Sequence, residues 1–314
     1  MARALALGEC MVELAQTGPG LYRRGFAGDT FNTAWYLRRS LGPDWQVDYG
    51  SCAGTDAVSD EMLGFLAAEG IGTGTIRRLP DRTVGLYMIS LSAGERSFSY
   101  WRGQSAARAL ADDPAWLAQI LTGAERVHFS AITLAILPPA GRAALAEALA
   151  TARRQGAQVS FDTNLRPRLW EGGDAMRAGL RLGASVADVV PPSFDEDGPL
   201  FDDPTPEATL ARYRNLGAGS VVLKQGAGPM LWWDAAEGEG RVTPRPVAQV
   251  VDTTAAGDSL AAGLLAARMH GQPMPQAVAA GADLAARVIQ APGALVPDAL
   301  APDALASGAR ASEP

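Results

Sequence analysis

The order of local signals along the chain predicts an α/β fold, with a mainly parallel central sheet covered by helices on both faces. Short runs of β-formers alternate with longer stretches whose apolar residues recur at helical spacing. Two further β-rich segments break that alternation, with no helix between their strands. The 314 residues are 47% hydrophobic and 19% charged, which suits a globular protein with an ample core.

The strand segments are Ala4–Leu7, Val47–Ala53, Val127–Ser130, Val159–Asp162, Ala187–Val190, Ser220–Lys224 and Met230–Trp233. Between them, Thr30–Leu41, Asp56–Glu69, Pro139–Gln155 and Pro206–Leu216 have the apolar spacing of amphipathic helices. This order builds βαβ units. In sheets of that kind ligands bind beyond the carboxyl ends of the strands, so chemistry is sought there.

The net charge of −7 provides no general basic field for nucleic acid or an anionic membrane. A negatively charged substrate must then be drawn in by a few local arginines. No apolar run approaches the ~20 residues of a membrane span, and the N-terminus lacks a signal-peptide pattern. The expectation is a cytoplasmic enzyme acting on small molecules, without nucleic-acid or membrane partners. Cys10 and Cys52 read as reduced, partly buried thiols, although a bridge is the alternative.

The two β-rich segments, about 9–27 and 83–102, are expected to form a small β lid. The second reads as a hairpin: Thr83–Leu91, a turn at Ser92-Ala93-Gly94-Glu95, and a return strand Arg96–Arg102. Phe98, Tyr100 and Arg102 then share one face, because side chains alternate with period two. A two-residue turn at Ala93-Gly94 sets Tyr87 opposite Tyr100 and Gly85 opposite Arg102. Two tyrosines and an arginine could cover a polar ligand, or the face could simply pack on its own domain.

Asp252-Thr253-Thr254-Ala255-Ala256-Gly257-Asp258 opens an apolar helix, Ser259–Met269. Small residues at 255–257 let the backbone close around a ligand, and free amides at a helix start favour negative charge. A carboxylate at such an anion site calls for a chemical role. Asp258 could accept the proton of a hydroxyl attacking a phosphoryl group. On spacing alone, an N-capping aspartate before an ordinary helix is the competing reading.

These residues resemble the C-terminal signature of the ribokinase-like carbohydrate kinases, with Ala255 where that superfamily usually has Gly. The swap costs little unless position 255 needs a positive φ. The resemblance covers nearly the whole chain. Gly8-Glu9-Cys10-Met11-Val12-Glu13-Leu14 is similar to the opening strand and lid start, and Phe26-Ala27-Gly28-Asp29-Thr30-Phe31-Asn32-Thr33-Ala34 to the sugar-binding signature. It implies a three-layer ribokinase-like domain over 1–296 with a discontinuous lid, followed by an Ala/Pro-rich tail, 297–314.

Several stretches resemble more narrowly the bacterial branch that phosphorylates 2-keto-3-deoxygluconate. They are Gly85-Leu86-Tyr87, Gly94-Glu95-Arg96, Tyr100-Trp101-Arg102, the run from Ser130 to Leu137, and the run from Asp162 through Asn164, Arg166 and Arg168 to Trp170. The resemblance implies substrate contacts at Gly28, Asp29, Asn32, Tyr87, Tyr100, Arg102, Arg166 and Asp258, with Ala255, Ala256, Gly257 and Asp258 as the catalytic loop. A planar guanidinium that grips both oxygens of a C1 carboxylate suits Arg102. Arg166 could serve the carboxylate or the phosphates.

For the nucleotide, the resemblance implies ATP near Lys224, Gly226, Ala227, Gly228 and Gly257, with Asn164 and Ser193 contributing. Gly226 and Gly228 permit close backbone contact, while a glycine hairpin is the plainer reading. Ser193 stands where the superfamily usually has Asn. Glu196 is the candidate acid for Mg²⁺, through water, against the alternative of a solvated acidic loop. Dependence on a monovalent cation stays open, and exposed lid edges allow a homodimer. His128 reads as a strand residue and His270 as a helix-end residue.

Overall fold

The computed structural model describes residues 1–92 and 95–300. In chain order the elements are β1 (Ala2–Leu7), β2 (Met11–Gly18), β3 (Leu21–Ala27), α1 (Asp29–Ser40), β4 (Trp45–Gly54), α2 (Ala57–Ala68), β5 (Ile76–Leu79), β6 (Leu86–Ser92) and β7 (Glu95–Trp101). They continue with α3 (Pro114–Leu121), β8 (Arg126–Ser130), α4 (Ala131–Ile136), α5 (Pro139–Arg154), β9 (Gln158–Asp162), α6 (Gly173–Ser185), β10 (Val189–Val190), α7 (Phe194–Phe201) and α8 (Pro206–Asn215). The last are β11 (Ser220–Leu223), β12 (Met230–Asp234), β13 (Gly238–Val242), α9 (Ala256–Met269) and α10 (Met274–Val288).

Nine strands form one sheet in the order β13-β12-β11-β10-β9-β8-β1-β4-β5. All its pairings from β5 to β11 are parallel; β12 and β13 are antiparallel additions at one edge. The strand period of two sorts β1 onto two cores. Leu5 and Leu7 pack with α3, α5, α6 and Tyr213 of α8, whereas Ala4 and Ala6 pack with α1, α2 and α9. Helices therefore cover both faces, giving the expected three layers.

Local chemistry fixes several helix starts. Asp56, Asp113 and Thr205 cap α2, α3 and α8 by accepting from the amides of Ser59, Trp116 and Ala208, at 3.0, 3.0 and 3.2 Å. Pro114 and Pro206 occupy first-turn positions, where no amide donor is required. The starts of α1 and α9, by contrast, carry no side-chain cap.

The second sheet has the order β3-β2-β6-β7 and forms the lid. Its hairpin register is the expected one for Tyr87 opposite Tyr100, with every pair from Leu86–Trp101 to Ser92–Glu95 in step; the expected pair Gly85–Arg102 falls just beyond the ladder, and Thr83 instead bridges Ser105. The turn anticipated at Ala93-Gly94 lies outside the described residues, as does 301–314 of the tail. Residues Pro297–Leu300 form a 3₁₀ turn, with Ala299 buried in the α1/α2 core.

Three sequence expectations shift in detail. The helix expected from Ser259 begins at Ala256, because Ala255 takes a left-handed conformation and turns the chain into the helix earlier. The strand at Ser220 ends at Leu223, and Lys224 instead makes an isolated parallel bridge to Ser193. Strands β5 and β13 gave no alternating apolar signal, since Ile-Arg-Arg-Leu and Gly-Glu-Gly-Arg-Val belong to sheet edges with a solvated side.

Candidate active site

The uncapped starts of α1 and α9 meet at the carboxyl edge of the large sheet. At α1, Gly28 lets the chain lie against β2's approach: a Cβ there would sit 2.1 Å from the Glu9 carbonyl oxygen. That close crossing sets Asp29 and Asn32 on the first turn of α1. Asn32 Nδ2 donates to Asp258 Oδ2 at 2.8 Å, and the Asn32 side-chain oxygen Oδ1 accepts from the Gly28 amide at 3.4 Å. Asn164, beyond the end of β9, donates to Asp29 Oδ2 at 3.1 Å. Thr33 adds a bond from its hydroxyl to the Asp258 carbonyl, at 3.3 Å.

At α9, Ala255 has φ of 60° and ψ of 16°. The position does need the left-handed region that glycine enters without strain, so the departure from the superfamily's Gly carries a conformational cost. The Ala256 amide donates to Thr253, and no side chain caps the helix, so its first turn is open to an anion. Lys224 brings positive charge to the same spot. Its Nζ lies 3.4 Å from Asp162 Oδ1, and a Cβ on Gly257 would be 3.6 Å from that Nζ.

Asp258 is 7% exposed. Burial first, and then the neighbouring charge of Asp29, push its carboxyl well above the usual aspartate range. The Asn32 hydrogen bond opposes the shift, Asp162 adds to it, and Arg166 offsets part of it. The result is a buried carboxyl with an enhanced proton affinity, beside an amide-lined, lysine-flanked anion site.

On the lid, Glu13, Tyr87 and Tyr100 stand in register across β2, β6 and β7. The rings of Tyr87 and Tyr100 are 5.9 Å apart, Phe98 stacks 6.3 Å from Tyr100, and the Arg102 guanidinium lies 6.0 Å from the Tyr100 ring centre. These residues do share one face. Tyr87 is buried with Met11, Ala27 and Ile89 in a cluster against which Ala255 packs, so the lid reaches the α9 loop. Tyr87 donates its hydroxyl hydrogen to Glu13, and Arg102 pairs with Glu9 in a buried ion contact.

Arg166 is half-exposed after β9, with Nη1 3.9 Å from Glu196 Oε1. Ser193 heads α7, and its amide donates to Asp197 Oδ2 at 3.1 Å. Asp197 is fully buried and also accepts from Thr163 (3.0 Å) and Tyr213, so among the three neighbouring acids it is structural. Glu196 keeps a half-exposed carboxylate, and Asp195 lies beside the turn at Gly226. Gly226 has φ of 54°, and the Gly228 amide donates to the Gln225 carbonyl at 2.7 Å, closing a hairpin turn between β11 and β12. A cavity of about 290 Å³ lies elsewhere, lined by Ala4, His128, Ser160 and Leu265, away from these converging carboxylates.

Residues 1–299 match the pfkB family of carbohydrate kinases. The chain belongs to that family. It is 39% identical to the 2-dehydro-3-deoxygluconokinase of Dickeya dadantii over 296 residues, covering 92% of this chain and 95% of that one. The 2-dehydro-3-deoxygluconokinase of Escherichia coli K12 is 36% identical over 303 residues, covering 94% and 98%. Among solved structures, a PfkB protein from Polaromonas sp. JS666 superposes with a TM-score of 0.79 at 31% identity, covering 94% of this chain and 98% of that chain. A fructokinase of Xylella fastidiosa with bound ATP superposes at 0.78 and 25% identity, with 93% of each chain covered.

Several neighbours of the site in this pfkB kinase lie within the stretches that carry the resemblance, with no role legible from the sequence. Asp162, buried against Lys224, is visible there as the carboxyl end of a buried strand and the start of the run to Trp170, without its partner. Thr33 is one turn past Asp29, and Glu9 and Glu13 belong to the stretch matched to the opening strand and lid start, where nothing local reveals their partners Arg102 and Tyr87. His128 is a strand residue as expected, its Nδ1 2.9 Å from Ser160 Oγ, and burial pushes its pKa down. His270 ends α9, with Nε2 3.2 Å from the Ser40 carbonyl.

Proposed function

We propose that this pfkB kinase transfers the γ-phosphoryl group of ATP to the terminal hydroxyl of 2-dehydro-3-deoxygluconate, giving the 6-phosphate and ADP. The single observation that carries the chemistry is Asp258, a buried carboxyl with raised proton affinity at an uncapped helix start flanked by Lys224. The substrate assignment is supported by the relatives of that name, which match the chain over more than nine-tenths of its length.

Asp258 is the general base that takes the hydroxyl proton as the oxygen attacks phosphorus. A carboxylate whose pKa is raised pulls harder on the hydroxyl proton than an ordinary aspartate does. The amides of Ala255 and Gly257, at the start of α9, receive the charge on the transferring group, while the Ala256 amide, held by the Thr253 carbonyl, fixes the turn between them. Gly28, Asp29 and Asn32 hold sugar hydroxyls, Tyr87 and Tyr100 wall the sugar, and Arg102 reads the carboxylate, with Arg166 between sugar and phosphate. Lys224, Asn164, Ser193 and the loop at Gly226, Ala227 and Gly228 face ATP.

Mg²⁺ fits this site as an ion arriving on ATP. Among the described residues no group of three His, Cys, Asp or Glu side chains could hold a metal by itself. The half-exposed Glu196 carboxylate would hold such an ion through water, and the ion would screen phosphate charge. The dependence on ATP fits a cytoplasmic location; no helix among the described residues is long and apolar enough to cross a membrane. The lid's edge strands β3 and β7 expose Leu21 and Trp101, and pairing through the lid would make a homodimer.

ADP release from purified protein with Mg-ATP tests the reading, comparing 2-dehydro-3-deoxygluconate with gluconate, fructose and ribose. Turnover on the keto-deoxy acid above the others supports it; preference for fructose or ribose overturns the substrate while keeping Asp258. Arg102→Ala then separates the roles: it raises KM for the sugar acid more than for a neutral sugar.

A further inference from the structure

Two carboxylates of the chain's opening segment lie behind the two lid residues that face the sugar. Glu9 is 2% exposed and contacts Arg102, itself 9% exposed, through Oε2 and Nη2. Glu13 is 8% exposed and accepts from the Tyr87 hydroxyl. Glu9, Met11 and Glu13 have the same parity, and the ladder sets Glu13 directly opposite Tyr87.

Stability alone does not account for these acids. Removing a carboxylate from water costs several kcal/mol, and a buried ion pair commonly does no better than apolar residues of the same size. Yet the surroundings are shaped to keep the Glu9 pair. A Cβ on Gly85 would lie 2.8 Å from Glu9 Oε1 and 3.2 Å from Arg102 Cβ, so a larger residue would push the two apart. The pair is also incomplete: Arg102 Nε and both Glu9 carboxylate oxygens are buried with no hydrogen-bond partner, so the two side chains meet as an ion contact with hydrogen-bonding capacity to spare on each. One side of the guanidinium is thus anchored, and a donor is left over for an incoming acceptor. Burial and the Glu13 charge push the Tyr87 phenol up, which keeps it protonated as a fixed donor to Glu13.

We propose that Glu9 and Glu13 are positioning residues for sugar-acid specificity: Glu9 holds the Arg102 guanidinium, and Glu13 the Tyr87 ring, in the orientation that receives the substrate carboxylate. The proposal rests on the reading of Arg102 as the carboxylate receptor. Neither acid touches substrate; each acts through its lid partner. A sugar lacking the carboxylate gains nothing from an oriented Arg102 and so is indifferent to Glu9.

The test is a double-mutant cycle on the full-length kinase, with KM for the sugar acid, KM for ATP, kcat and Tm measured throughout. Glu9→Gln keeps the shape but removes the charge-assisted anchor. KM for the sugar acid should rise about tenfold, the equivalent of about 1.4 kcal/mol of lost orientation, while kcat and KM for ATP hold. In an Arg102→Ala background the same change should leave KM for the sugar acid unmoved. An equal rise in both backgrounds overturns the proposal, as does a loss spread over kcat and ATP.

Should Glu9→Gln not fold, Glu13→Gln gives the same reading through Tyr87, its effect vanishing in Tyr87→Phe; a persistent effect overturns the Glu13 half. Arg102→Ala alone, weakening neutral sugars as much as the acid, overturns the carboxylate reading itself without any Glu9 variant.

Discussion

Asn32 and Asp258, 226 positions apart in the chain, are joined by a 2.8 Å hydrogen bond between the first turns of α1 and α9. The bond stabilises the ionised carboxylate, against burial and the charges of Asp29 and Asp162, which favour the protonated form. The net shift is upward, so the base should lose its proton only above the ordinary carboxylate range. Turnover should therefore fall as pH is lowered through a limb set above that range. Asn32→Leu removes the donor that holds the pKa down, so the limb should move to higher pH. A kcat–pH profile checks this; an unmoved limb would detach Asn32 from the acid–base step.

The same carboxylate should weaken the fold. A carboxyl whose native pKa is raised above its unfolded value adds stability that is fully present below the unfolded pKa and is lost as pH rises through the native one. As pH rises from below the unfolded pKa towards the raised native one, the wild-type protein progressively loses that contribution, and a neutral amide does not incur the loss. Asp258→Asn should thus raise Tm at neutral pH, with the gap closing on acidification, while kcat drops by at least ~100-fold. Melting curves at several pH values check the first part; a lower Tm at neutral pH would contradict the burial argument.

The large sheet and the lid were legible because their signals are local. Period-two runs such as Val127–Ser130 mark buried strands, and a two-residue turn signal between the lid strands was enough to set Tyr87 opposite Tyr100. Asp258 and the loop before it carried a motif. Which residues would pair across the site was not legible. Lys224 meets Asp162 62 positions away, and Tyr87 meets Glu13 74 positions away, at distances only the folded chain defines. The φ of Ala255 was likewise hidden, since alanine is the residue least informative about a left-handed turn.

Lys224 should bind the nucleotide phosphates at a cost shared with Asp162. Lys224→Met removes the charge at the start of α9 and strands a carboxylate that is 3% exposed. KM for ATP should rise about tenfold or more, as expected for losing a charge-assisted contact, with a lower Tm. Adding Asp162→Asn should restore Tm without restoring ATP affinity. Titrations with ATP alongside melting curves separate the two effects. Recovery of both by the double variant would assign Lys224 a purely structural pairing role.

Ala255 stands at φ of 60°, where a Cβ costs about 1 kcal/mol. Glycine removes that strain, but its greater freedom in the unfolded chain takes back about 0.4–1 kcal/mol. Ala255→Gly should therefore change stability by less than about 1 kcal/mol and keep its turnover, because the loop conformation is the one glycine already accepts. Ala255→Val should behave differently. A β-branched residue is a steric outlier in the left-handed region, so the loop must leave it and carry the amides of the α9 start with it. Kinase activity should fall at least ~100-fold, on the scale of a lost charge-stabilising donor, together with Tm. Parallel kinetic and denaturant measurements on the two variants decide the matter. Normal turnover in the valine variant would show that the 255 conformation does not set the anion site.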